Sequence, residues 1–256
     1  MNSNKEKPIL NLPAKQLPIR PITLQEVEQE IHKRVSLIKK EFVMGFEFIK
    51  NRPKSVTFFG SARLPEDSEY YSLARRIGFR IAKLGYTVVT GGGPGIMEGV
   101  NRGCFEAGGR SLGLNIKLPN EQSRNPYLTD TADFYYFFIR KVMMSFSAEA
   151  YVFFPGGFGT FDELFEILTL VQTKKIEKVP VILVGSGYWR KLETFMIEEM
   201  LNKLNTIDKQ DLDLYTIVDS ENEIEEIVKN IPVRFGVRFT YKEGTEHATQ
   251  LSTSTE

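Results

Sequence analysis

The chain has 256 residues, ample for a sizeable core in one large or two small domains, and its 33 Lys+Arg balance 33 Asp+Glu. Zero net charge argues against a general binder of nucleic-acid polymers or anionic membranes, although a local basic pocket is still allowed. A single cysteine, Cys104, excludes an internal disulfide framework, and two histidines near the ends, His32 and His247, leave little for a His-rich metal site or a Ser–His triad.

Residues 1–21 hold four of the twelve prolines and no periodicity, which predicts an extended arm. The segment 1–7 is polar and leads into no apolar core, and no apolar run reaches bilayer length, so a soluble cytoplasmic protein is expected. From 22 to about 50, apolar residues recur at Val27, Ile31, Val35, Ile38, Phe42, Phe46 and Ile49, a stripe down one face of a helix. That stripe must cover the main domain or a second subunit.

After residue 53 short apolar runs alternate with helix-period stretches. Strands are expected at 56–60, 87–90, 111–116, 134–138, 151–154, 181–184 and 215–218. Helices are expected at 68–84, 96–107, 140–150, 160–173, 189–204 and 221–229. Runs without polar alternation are strands buried on both faces, and intervening helices imply a parallel sheet. The pattern predicts an α/β fold, a Rossmann-like doubly wound parallel sheet over 53–232, preceded by an arm and helix over 1–52 and followed by a polar, disordered tail over 233–256.

In such a sheet ligands bind at the carboxyl ends of the strands. Three glycine-containing turns fall there: Gly60-Ser61, the turn from Gly91 through Gly92, Gly93 and Met97 to Glu98, and the turn that starts at Pro155. The last reads Pro155-Gly156-Gly157-Phe158-Gly159-Thr160-Phe161-Asp162-Glu163, a buried strand entering a glycine turn with a helix starting at or just before Thr160. Free N–H groups of a first helical turn hold a phosphate. Glu163, expected within that first turn, would repel an anion, which points to chemistry rather than holding; the plainer reading is a carboxylate complementing the helix dipole.

Other phosphate motifs fail on spacing. G-x-G-x-x-G started at Gly91 or Gly93 meets Ile96 or Glu98 at its third glycine, and the strand at 111–116 ends in Asn115-Ile116 without an acid for a ribose, so NAD is disfavoured. No Gly-Lys-Ser/Thr follows any of these glycines, which removes the P-loop. Arg140-Lys141, expected at a strand's carboxyl end, faces the same crevice and can grip a phosphate or carboxylate. Glu98 and Glu121 read on spacing alone as ordinary charges. The aromatics of 134–138 read as core, as do Met143 and Met144, and Cys104 reads as a buried, inert thiol.

Taken together these residues resemble the LONELY GUY family, cytokinin riboside 5′-monophosphate phosphoribohydrolases long mislabelled as lysine decarboxylases. The family signature Pro-Gly-Gly-x-Gly-Thr-x-x-Glu is met in full by 155–163, and its preceding Arg-Lys pair by Arg140-Lys141. Gly60-Ser61 and the turn 91–97 match the two earlier glycine turns. Phe137-Phe138 stands where plant-like members have Met-His, Glu98 where they have glycine, and Asp162 where they have the first of two glutamates. With the added N-terminal helix, these features look like the longer bacterial branch.

The resemblance implies hydrolysis of the N-glycosidic bond of a nucleoside 5′-monophosphate to ribose 5-phosphate and adenine or an N6-substituted adenine, with no metal or organic cofactor required. It implies Glu163 as the carboxylate that stabilises positive charge on the ribose, and Arg140 as the clamp. Gly156, Gly157, Gly159 and Thr160 would take the phosphate, with Gly60, Ser61, Gly92, Gly93, Met97, Glu98, Lys141 and Pro155 lining the substrate and Glu121 and Thr169 near the nucleotide. Relatives assemble as dimers or larger homo-oligomers with shared pockets, so the helix at 22–50 is expected either in a subunit interface or on its own domain. The alternative from another class is a carrier of the same fold that binds a nucleotide without cleaving it.

Overall fold

The computed structural model describes residues 23–50, 52, 54–117, 124–146 and 148–231. The arm at 1–21, the tail at 233–256 and Glu121 lie outside the described residues. The chain divides into two compact units, 1–39 and 40–256.

In the first unit the chain enters helix α1, Leu24–Ile49, through Thr23, whose Oγ1 accepts from the Glu26 N–H while the Glu26 carboxylate accepts from the Thr23 N–H. This is the reciprocal arrangement of a capping box. Leu24, Val27, Ile31 and Val35 on this part of the stripe are exposed.

The second unit holds a seven-stranded, all-parallel sheet in the order β4-β3-β2-β1-β5-β6-β7. Its strands are β1 Ser55–Phe59, β2 Thr87–Thr90, β3 Ser111–Ile116, β4 Asp130–Phe134, β5 Ala148–Phe153, β6 Val181–Val184 and β7 Thr216–Val218. Helices α2 Glu69–Lys83, α3 Ile96–Glu106, α4 Phe137–Phe146, α5 Phe158–Gln172, α6 Ser186–Phe195 and α7 Glu221–Lys229 connect or follow them. The expected α/β class is what the chain adopts. Val56, Phe58, Val88, Ala150, Val152, Ile182 and Val184 form a continuous apolar face against Ala74, Ile77, Ile81, Ile96 and Val100 of α2 and α3. No helix among the described residues is long and apolar enough to cross a membrane.

The strand order reverses between β1 and β5, whose neighbours then run outward in opposite directions. Chain leaving these two strands diverges and opens a crevice at their carboxyl ends. The turns that begin at Gly60 and Pro155 stand at that point.

Three expected boundaries are corrected. The fourth strand is Asp130–Phe134, not 134–138, and the aromatic run after it leads into α4. Among the described residues only β3 pairs with β4. An edge strand tolerates Asp130, Thr131 and Asp133, which an apolar-run criterion passes over. Of the aromatics read as core, Phe134 is buried, whereas Tyr135, Phe137 and Phe138 are exposed. Conversely β5 begins at Ala148, inside the helix expected at 140–150, because central pairing with β1 overrides the helical preference of Ala-Glu-Ala. The helix expected at 189–204 is α6 continued by a π-helical segment, Met196–Lys203, and a 3-10 segment Lys209–Leu214 had no sequence counterpart. Met143, Met144 and Cys104 are core as expected, and burial pushes the Cys104 thiol up to about 12.

Candidate active site

The three glycine turns are tied together through main chain. The Ser61 N–H donates to the Pro155 carbonyl at 3.1 Å, and the Ser61 carbonyl accepts from the Ile96 N–H at 3.0 Å. The Ser61 hydroxyl is used locally, accepting from the Arg63 N–H. One residue after β1 therefore links the turn after β5 to the start of α3.

The turn after β5 ends at Gly157, the N-cap of α5, which has no side-chain cap. Thr160 and Phe161 donate their N–H groups to the Gly157 carbonyl. The N–H groups of Phe158 and Gly159 find no protein acceptor among the described residues, so two donors of a helix N-terminus are free for an anion. Thr160 is buried against Gly156, and the Gly156 carbonyl accepts from the Tyr188 hydroxyl at 2.6 Å. Since α5 begins at Phe158, Glu163 falls in its second turn rather than the first.

That turn of helix carries Glu163 inward. It is 8% exposed, and no hydrogen bond reaches its carboxylate from the described residues. Burial pushes its pKa up to about 7, although Arg140 and Lys141 pull the other way. A carboxylate this buried and without a partner among the described residues is costly, and function is a common reason to keep one.

Arg140 is the fourth residue of α4, at the close of its first turn. Its Nε donates to the Leu114 carbonyl of β3 at 2.7 Å, and its guanidinium makes no other hydrogen bond among the described residues. A side chain on Gly91 would overlap its guanidinium and the Met97 sulfur, so the close approach of Arg140 to β2 requires glycine there. Burial drives the Arg140 pKa below the usual range and the nearby Glu163 charge opposes it. The two groups feel each other's charge, and no contact ion pair joins them among the described residues.

Lys141 is otherwise engaged. Its Nζ sits 3.0 Å from Asp162 and 2.7 Å from Glu166, bridging α4 to α5. Burial works against its ammonium, and these carboxylates more than offset that and leave its pKa raised. Glu98 accepts from the Tyr71 hydroxyl at 3.0 Å, a tie between α2 and α3. Thr169 is exposed, with its hydroxyl on the Phe165 carbonyl, and stands about 13 Å along α5 from Thr160 at ordinary helical rise. Gly60, Ser61, Gly92, Gly93, Met97, Pro155, Gly156, Gly157, Gly159, Thr160, Arg140 and Glu163 thus stand on the strand-end turns or the helices that leave them.

Two asparagines escaped the sequence reading. Asn125 donates its N–H to the Gly92 carbonyl and its Nδ2 to the Gly93 carbonyl and to Asn101 Oδ1, while Asn101 also accepts from Thr90 and donates to Ser111. This buried set fixes the turn after β2. The signal available was Asn125-Pro126, a turn-forming pair. A broad depression of about 660 Å³ at Asp208–Asp213 lies on chain preceding β7, at the opposite end of the strands from these turns.

The family model described as "Possible lysine decarboxylase" matches residues 97–228, more than half of the chain, including Arg140 and the whole 155–163 turn. The chain belongs to the LONELY GUY family. Relatives of this LONELY GUY protein include the cytokinin riboside 5′-monophosphate phosphoribohydrolase of Rhodococcoides fascians, 30% identical over 56% of this chain and 74% of its own length. LOG7 of Arabidopsis thaliana, of the same description, is 30% identical over 59% of this chain and 70% of its own. Among solved structures, TM1055 superposes with a TM-score of 0.51 at 28% identity, covering 70% of this chain and 99% of that one. A molybdenum cofactor binding protein from Rippkaea orientalis, 20% identical, gives 0.54 over 70% of this chain and 96% of its own and shares the fold.

Proposed function

We propose that this chain hydrolyses the N-glycosidic bond of a purine nucleoside 5′-monophosphate, AMP or an N6-substituted AMP such as a cytokinin riboside monophosphate. The observation that carries the reading is Glu163: buried, without a hydrogen bond from the described residues and held near 7, one helical turn beyond a phosphate-type N-terminus. The names of the R. fascians and A. thaliana relatives agree with it.

The reaction breaks the bond from C1′ to the base nitrogen, whose electron pair leaves with the base, and forms a bond from C1′ to water oxygen. Positive charge builds on the ribose as the base departs. An ionised Glu163 stabilises that charge and orients the water, whose proton ends on the leaving base. Arg140 holds the substrate from the β2–β3 side. The phosphate on the N-terminus of α5 fixes the ribose, so that binding far from the reacting bond positions it.

Purified protein incubated with a panel of nucleoside monophosphates is expected to release base and ribose 5-phosphate from AMP, and to act on adenosine at least ~100-fold more slowly in kcat/KM for want of the anchor. Equal rates on AMP and adenosine would refute the phosphate anchor. Tight AMP binding with no release across the panel would leave a carrier.

The exposed apolar residues Leu24, Val27, Ile31 and Val35 are proposed to bury in a homo-oligomer, a dimer or larger, since a stripe of this kind is an association surface. Deleting residues 1–39, the whole first unit, is expected to give a smaller species by light scattering. An unchanged mass would take the stripe out of the interface.

A further inference from the structure

Helix α4 carries Arg140, and what sets the start of α4 comes from α1. The turn between β4 and α4 presents the N–H groups of Tyr135 and Tyr136, and both donate to the Glu41 carboxylate, at 2.8 and 3.2 Å. A carboxylate there also complements the positive end of α4. Tyr136 in turn accepts, through its carbonyl, the backbone N–H of Arg140 at 3.2 Å. Glu41 thus holds the peptide unit on one side and Arg140 hangs from the next.

The residues after Glu41 follow α4 to its far end. Phe42 packs on Phe138 with ring centroids 6.3 Å apart, and Phe46 meets Phe146 edge-on at 4.8 Å. Between them Gly45 is buried, and a Cβ there would stand 2.7 Å from Met143 Cγ and Sδ. With this face of α4 fixed, the opposite side delivers Arg140 to the Leu114 carbonyl. Glu41 lies 99 residues before Arg140 in sequence, on a helix outside the sheet.

We propose that Glu41 is a positioning residue for Arg140, so that the second half of α1 is a working part of the active site and not a cover. The inference rests on Arg140 being the substrate clamp. A displacement of the clamp by about 1 Å is enough to slow a reaction by up to about 100-fold.

The test compares Glu41→Ala with Glu41→Gln in the full chain, by AMP turnover and by amide hydrogen exchange. Glu41→Ala is expected to lower kcat roughly 10- to 100-fold and to raise KM in the direction Arg140→Ala does, and to speed exchange at 135–141 alone. Glu41→Gln keeps one acceptor oxygen and should return kcat to within about fivefold of wild type. An unchanged kcat in Glu41→Ala overturns the proposal, as does an equal loss in both variants with faster exchange throughout the domain. Should the wild-type protein cleave no nucleotide, the hydrolase reading fails separately and AMP affinity decides. Glu41→Ala weakening AMP binding as Arg140→Ala does upholds the proposal, and unaltered affinity overturns it.

Discussion

Glu163→Gln is expected to lower AMP turnover by roughly 10²–10⁴-fold while AMP binding stays intact or tightens. The amide has the shape of the carboxylate without the charge that stabilises a cationic ribose, and removing an anion from beside a phosphate favours binding. In wild-type protein kcat/KM should rise with pH through about 7, as the free carboxyl ionises, and the variant should lose that limb. The same substitution reports on stability with a definite sign. The folded pKa lies above the ordinary 4.5, so the folded state holds more protons than the unfolded chain between about 4.5 and 7. Stability therefore falls as pH rises through that window, and the penalty is fully present above it. Glu163→Gln removes a penalty on the order of 2–3 kcal/mol at pH 8 and almost none at pH 4.5. Thermal melts at the two pH values should show a gain of several degrees only at the higher one. Near-normal turnover in the variant, or a gain independent of pH, would contradict the assigned role.

Arg140→Ala should reduce kcat/KM by roughly 10²–10³-fold and weaken AMP binding as well, because the guanidinium holds both ground and transition states. Arg140→Lys is expected to recover only a part. Its ammonium cannot donate to the Leu114 carbonyl and to a substrate in the planar fork that Arg140 offers. Steady-state kinetics with AMP separates the two variants: full recovery by lysine would reduce Arg140 to a point charge. Both differ from Glu163→Gln in raising KM, which distinguishes a clamp from a charge stabiliser.

The sheet was legible in the sequence because its central strands are short apolar runs between Gly and Pro punctuation. Three strands, β2, β3 and β6, were placed at their observed bounds for that reason, and β1 and β7 within one residue of theirs. Where the environment differs from that template, the reading slipped. β4 lies at an edge and carries Asp130 and Asp133, while β5 has Glu149 buried within it, a residue no pattern rule assigns to a central strand. The slip moved Arg140 from the first residue of an expected helix to the fourth residue of α4, and in either placement it follows the carboxyl end of the same strand. Local motifs singled out the glycine turn after β5 and Glu163. They could not find Glu41 or Asn125, whose parts depend on which backbone N–H or carbonyl they meet, and those partners lie 94 and 33 residues away along the chain. Nor could they show that Lys141 is already neutralised by Asp162 and Glu166, since ion pairing across two helices has no signature in either.

The bonds through which Ser61 ties the turn after β5 to the start of α3 are made by peptide groups alone. Main-chain donors and acceptors are common to all residues but proline, so this anchoring frame survives drift in the side chains around it. Grip and recognition are then separable in this architecture. On the proposed reading, a lineage can rebuild the walls that would meet the base, residue by residue, while the frame that would seat the sugar phosphate stays in place. Relatives about 30% identical to this chain can then keep such a frame while the side chains around it differ.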